Sequence, residues 1–123
     1  MSRRVRIVCI TGAFAAALVE LAARFADDEA AVSRAKALSS RLTQLAEEDS
    51  AAYTAFMESR SEEARRLTIE VPNEIALNAA EVEQLAQKVR AQLKSSVAGD
   101  AEAAEQLARA AARVARRLAE LNA

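Results

Sequence analysis

Between Ala31 and Phe56, residues recur at steps of 4, 3, 4, 3, 4, 3 and 4: Ala31, Ala35, Leu38, Leu42, Leu45, Asp49, Ala52 and Phe56. That spacing places every member on one stripe of a single long helix, and such a stripe has to be buried against other helices. One member breaks the chemistry without breaking the period. Asp49 puts a carboxylate where an apolar side chain is called for, and an ionised carboxylate there loses its solvation unless it is paired, hydrogen-bonded or protonated. It is the leading functional candidate.

The rest of the chain fits the same architecture. Two Gly and one Pro among 123 residues leave few places to interrupt a helix, and the 52% hydrophobic content is mostly Ala and Leu, with only 3% aromatic. The expectation is an all-α fold: an antiparallel bundle of four or five long helices with an Ala/Leu-rich core, in one domain over residues 1–123. Each buried Ala removes little surface from water, at ~25 cal/mol per Å². Such a core is thin, and self-association would deepen it.

Helices are expected over about Ala13–Ala26, Asp28–Glu58, Pro72–Lys94 and Asp100–Leu121. The first follows Gly12 and carries a Phe14, Leu18, Leu21, Phe25 stripe. The third carries Ile75, Asn78, Val82, Leu85 and Val89; the last carries Leu107, Ala111, Val114, Leu118 and Leu121. Asp27, Asp28 and Glu29 can cap the second helix. Ser59-Arg60-Ser61-Glu62 has the form of a capping box, Pro72 predicts a kink or a fresh start, and Asp100 is a good cap for the last helix. Asn78 lies on an expected buried line, where it either bonds a neighbour and fixes register, or faces Asp49 across the core or helps line a ligand pocket. The arginines of the last helix are spaced to pair with its acids, Glu105 with Arg109 and Glu120 with Arg113 or Arg116.

Composition also excludes chemistry. A net charge of −1 offers no electrostatic footprint for nucleic acid. With no His and one Cys, Cys9, there is no disulfide within the chain, no basis for a structural zinc site, and no Ser-His-Asp or Cys-His catalysis. Chemistry is left to carboxylates, Lys, Tyr, hydroxyls or the thiol, and Cys9 reads as a small buried hydrophobe or a tail residue. A cytoplasmic home is the simpler reading. Arg3, Arg4 and Arg6 precede a charge-free run, Ile7–Val19, that is too short to span a membrane. The run has the outline of a signal peptide, but its apolar spacing continues through Glu20 and Arg24 as an amphipathic helix would.

The segment RLTQLAEEDSAAYTAFMES, Arg41–Ser59, resembles the signature of the formiminotetrahydrofolate cyclodeaminase / methenyltetrahydrofolate cyclohydrolase family. Further landmarks follow in that family's order. TGAFAAALVELAARF resembles its Ala-rich first helix, EEARR its arginine-containing stretch, and EVPNEIA its proline element. SSVAGDAEAAEQLARAA resembles its Asp-containing segment, and AELN its Asn-containing ending. The resemblance implies an all-α homodimer acting on the one-carbon unit of a tetrahydrofolate, which is a substrate, with no cofactor or metal. It implies Asp49 as the catalytic acid/base, with Asp100, Asn122, Asn78, Arg65 and Arg66 on the substrate, and neither nucleic acid nor membrane as a partner. The alternative is a catalytically degenerate helical homodimer with a structural or regulatory role. A third reading is an unrelated helical interaction protein in which Asp49 is a paired register device. Three departures stand out. The family's Pro-Gly-Gly-Gly-Ser stretch has no counterpart in MSRRVRIVCI. Its longer Lys/Pro-containing segment after the signature is shortened to SRSEE, and Leu118 replaces the first of two asparagines spaced four apart.

Overall fold

The computed structural model describes residues 2–123, which form four long helices and no strand. These are α1 Ser2–Phe25, α2 Glu29–Ser59, α3 Glu62–Arg90 and α4 Gly99–Asn122, with one 3-10 turn at Ser95–Val97. Short links make sequential helices antiparallel neighbours, and α1 closes the bundle by packing on α4 as well as α2. The expected all-α bundle is therefore realised with four helices.

Local chemistry sets the boundaries. The Asp28 carboxylate accepts the Ala31 N–H at 3.0 Å and starts α2. Arg60 ends it by taking a left-handed φ of 55° while its N–H donates back to the Phe56 carbonyl. Ser61, rather than Ser59, then caps α3 by accepting the Ala64 N–H at 3.1 Å. Asp100 does not cap α4. It sits inside the first turn, and the N-cap is Ala98, with no side-chain bond.

Pro72 neither restarts nor breaks α3; it lies inside it. A helical proline has no N–H for the carbonyl four residues back. Here that carbonyl belongs to Thr68, and the Asn122 side-chain amide on α4 donates to it instead, at 2.8 Å. The substitute donor removes one reason to break the helix.

The stripe on α2 is buried as expected from Ala31 through Ala52, with Phe56 half-buried. The other three stripes need correction. In α1 the buried side is Val5, Val8, Cys9, Ala15, Ala16, Val19, Ala22 and Ala23, whereas Phe14, Leu21 and Phe25 face solvent. In α4 most of the alanines, Ala101, Ala104, Ala108, Ala111, Ala112, Ala115 and Ala119, face inward with Leu118, while Val114 and Leu121 are exposed. In α3 the inner line runs Ile75, Ala79, Val82, Ala86, Val89, with Asn78 and Leu85 at its edge. Small side chains take the inside because they let helix axes approach closely; large ones cannot share that space. α1 also begins at Ser2 and not near Ala13, so Gly12 lies within it. A Cβ on Gly12 would stand 3.1 Å from Leu42 Cδ1, so this glycine serves close approach to α2. Extended in this way, Arg3–Phe25 is long and apolar enough to cross a membrane by length and composition, although 44% of its most apolar window is buried in the bundle.

Ion pairs tie the helices on the outside. Arg34 holds Glu81, Arg41 bridges Glu48 and Glu74 at 2.5 Å each, and Arg109 joins Glu83 to Glu105. Exposed pairs of this kind are screened by solvent and add little to stability. Glu120 is held by Arg117, not by Arg113 or Arg116.

Stability should follow burial rather than residue type. Leu42→Ala, at a fully buried site, is expected to cost about 2–5 kcal/mol in urea unfolding. Leu77→Ala, at a site 70% exposed, should stay within about 0.5 kcal/mol of the parent.

Candidate functional site

The helical period of α2 carries Asp49 to the inside of the bundle, where it is 5% exposed. Among the described residues no hydrogen bond or ion pair reaches its carboxylate, and burial pushes its pKa up to about 6. The Cys9 thiol of α1 is near enough to feel its charge. Burial first, and then Asp49, push that thiol up to about 12, which leaves it protonated and unreactive at neutral pH. Asp49 is thus poised to exchange a proton near neutrality, and Cys9 is not.

Two openings lie one helical turn either side of Asp49. Three residues before it, Ala46 lines a groove of about 490 Å³ between α1 and α2, with Arg6, Cys9, Ile10, Phe14, Thr43 and Glu47. Four residues after it, Tyr53 lines a smaller cavity of about 190 Å³ with Phe56, Arg65, Thr68 and Asn122. The smaller cavity combines two aromatic faces, a guanidinium and amide and hydroxyl groups, which suits a planar, partly anionic ligand. Its polar groups are already engaged in part. Thr68 Oγ1 donates to the Arg65 carbonyl at 2.6 Å, Asn122 donates to the Thr68 carbonyl, and Arg65 reaches Glu62 and the Ala123 carbonyl oxygen.

The structure gathers some of the expected site residues and separates others. Asn122 and Arg65 share the cavity that Tyr53 lines one turn along α2 from Asp49, which itself lines neither opening. Asn78 donates to the Glu74 carbonyl of its own helix at 2.9 Å, an intrahelical bond in place of a contact across the core. Arg66 points to solvent and pairs with Glu70 at 3.3 Å. Asp100 lies at the other end of the bundle, beside Phe25 and Val97, 22 residues and so roughly 33 Å along α4 from Asn122. It cannot meet a ligand at Asp49 within one chain. Tyr53 and Phe56 were not expected at the site, yet their offsets of four and seven from Asp49 mark them as its neighbours on the helix. Thr68 was missed as well; its offset of four from Pro72 is the signal. No group of His, Cys, Asp and Glu that could hold a metal ion occurs among the described residues. Glu105, the other buried carboxylate, is bound by Gln87, Arg90 and Arg109, a satisfied structural cluster.

The model of the formiminotransferase-cyclodeaminase family matches residues 7–123. No curated protein and no solved structure matches the chain.

Two outcomes follow from the geometry. A carboxyl whose folded pKa lies above its unfolded one lends stability that is complete below about 3.8 and lost as pH rises through about 6. Asp49→Asn should therefore stabilise the protein at pH 7.5 by about 1–3 kcal/mol, and the gain should vanish near pH 4 when calorimetric melting is compared across pH. Asn122→Ala should cost about 1–2 kcal/mol, because it strands the Thr68 carbonyl. In a Pro72→Ala background the restored N–H makes that loss small, so a double-mutant cycle should give a clear coupling energy.

Proposed function

The chain belongs to the formiminotransferase-cyclodeaminase family, and on that premise we propose that it acts on the one-carbon unit of a reduced folate, with Asp49 as the acid/base. Two reactions fit. In the cyclodeaminase reaction, N10 of the folate bonds to the formimino carbon and gives up a proton. The bond from that carbon to the terminal nitrogen then breaks, and the nitrogen leaves protonated as ammonia. In the cyclohydrolase reaction, water bonds to the methenyl carbon and gives up a proton, and one ring C–N bond opens with its nitrogen protonated. Each requires one group that accepts a proton from the nucleophile and supplies one to the departing nitrogen.

The observation that carries this reading is a buried carboxyl with no partner among the described residues and a pKa raised to about 6. A general acid/base works best with its pKa near the operating pH. Tyr53 and Phe56 offer flat surfaces to a pterin or phenyl ring, and Arg65 offers a cation to a carboxylate. Asn122 gives one amide hydrogen to the Thr68 carbonyl, which leaves its second amide hydrogen and its carbonyl oxygen to meet a ligand.

A second reading, a catalytically degenerate relative, has its own observation. Where the family carries a glycine-rich loop, this chain has the first turns of α1, helical from Ser2 onward. A ligand cradled by such a loop would have to be held differently here.

Turnover separates the two. Purified protein given 5,10-methenyltetrahydrofolate, or 5-formiminotetrahydrofolate, should change the methenyl absorbance, and Asp49→Asn should lower the rate about 10²–10⁴-fold while remaining folded. The rate should depend on a single group titrating near pH 6. An inactive parent protein that also gives no calorimetric heat with millimolar 5-formyltetrahydrofolate would establish the degenerate reading.

A further inference from the structure

Five large apolar side chains of α1 stand in solvent: Ile7, Ile10, Phe14, Leu21 and Phe25, each between 46% and 64% exposed. At about 3.6 residues per turn they fall within about 60° of arc on the outer side of the helix. Arg3 stands in line with that arc at its N-terminal end, with Arg6 and Arg24 along one edge and Arg4 along the other. The strip widens onto α4. That helix presents Glu105 and Arg109 to α3, so its Leu107, Val114 and Leu121 fall on the opposite side, which borders α1. Scattered surface apolar residues carry no message, but a contiguous strip rimmed by polar groups marks a contact surface.

Charge is divided across the bundle in the same sense. α1 carries four arginines and one glutamate, and that glutamate, Glu20, holds Arg24 at 2.9 Å. α3, diagonally opposite, carries six glutamates against four basic residues. The apolar strip therefore lies on the basic side of a molecule whose net charge is −1. Among the described residues no ion pair uses Arg3, Arg4 or Arg6. An apolar centre edged by free arginines is the form of a helix that lies in the plane of an anionic lipid surface.

We propose that α1 docks this protein on an anionic lipid surface, with Ile7, Ile10 and Phe14 among the acyl chains and Arg3, Arg4 and Arg6 on the headgroup phosphates. The N-terminal half of α1 enters first, because Asp27 and Asp100 stand by Phe25 at the other end and are repelled by the same headgroups. The helix lies on the surface and does not cross it. Its inner side, with Val5, Cys9, Ala16, Val19 and Ala23, is buried in the bundle. The inference is independent of the folate reading, and it departs from the absence of a membrane partner that the family resemblance implies.

The chain has no Trp, so a single introduced one reports its own surroundings. Phe14→Trp should shift its emission to the blue when vesicles of phosphatidylglycerol and phosphatidylcholine are added. Leu77→Trp, on the exposed side of α3, should not. The parent should sediment with those vesicles, less so as salt rises, and not with phosphatidylcholine alone. Arg3→Gln, Arg4→Gln and Arg6→Gln together should weaken that binding about 10²-fold, and Phe14→Asp should abolish it, both with helicity unchanged. A parent that does not sediment with the mixed vesicles, or sediments equally with phosphatidylcholine alone, would overturn the proposal. So would equal shifts at positions 14 and 77. A dimer in which Phe14→Trp already emits in the blue, with no change when vesicles are added, would overturn it too and assign the face to a second copy.

Discussion

A helix bundle lined with alanine holds together only if its axes come close, and close approach decides nearly everything else in this molecule. It puts mostly glycine, alanine and valine at the contacts of α1 and α4, and it leaves Ile7, Ile10, Phe14, Leu21, Phe25, Val114 and Leu121 of those helices at the surface. α2 and α3 differ. Leu38, Leu42 and Leu45 of α2 and Ile75, Val82 and Val89 of α3 are fully buried and fill the space that the alanines around them leave. The larger residues of the interior thus come mostly from α2 and α3, set against the smaller faces of α1 and α4.

Against such a core a lone carboxylate is a heavy charge to carry. A shift from 3.8 to about 6 corresponds to roughly 3 kcal/mol at neutral pH, in domains whose whole stability is commonly about 5–15 kcal/mol. Glu105 shows how this chain treats a buried acid that only needs to be tolerated: three neighbours bond it. Asp49 has no such set of partners among the described residues, and the proposed acid/base role gives its raised pKa a reason. Its neighbour Cys9, kept protonated, adds no competing nucleophile.

Much of this could be read from the residues. The α2 seam, the misfit at Asp49, the Asp28 cap and the all-helical class follow from period and propensity, and these are local properties. What was misread depended on neighbours. Periodicity identifies an apolar face but cannot rank two on one helix, so α1 was assigned its large-residue face when the small-residue face lies inside. The same ambiguity misplaced Val114 and Leu121. Pro72 was read by its local rule, and the rule was overridden by Asn122, fifty residues away in sequence and adjacent in space. Asp100 was attached to the site by resemblance, which carries order along a chain but not distance across a bundle.

Gly12 and Leu42 have a consequence for how such a sequence can drift. The glycine is open only because the leucine fills the space above it, with a Cβ at position 12 due to stand 3.1 Å from Cδ1 of the leucine. Each change is felt at the other. An alanine at 12 asks Leu42 to give by a few tenths of an ångström. A larger residue there asks for a smaller one at 42, and the reverse exchange leaves a hole. Across descendants of this chain the two positions should vary as one, a small residue always facing a large one. That paired substitution would record how closely α1 and α2 approach even where every surrounding residue has changed.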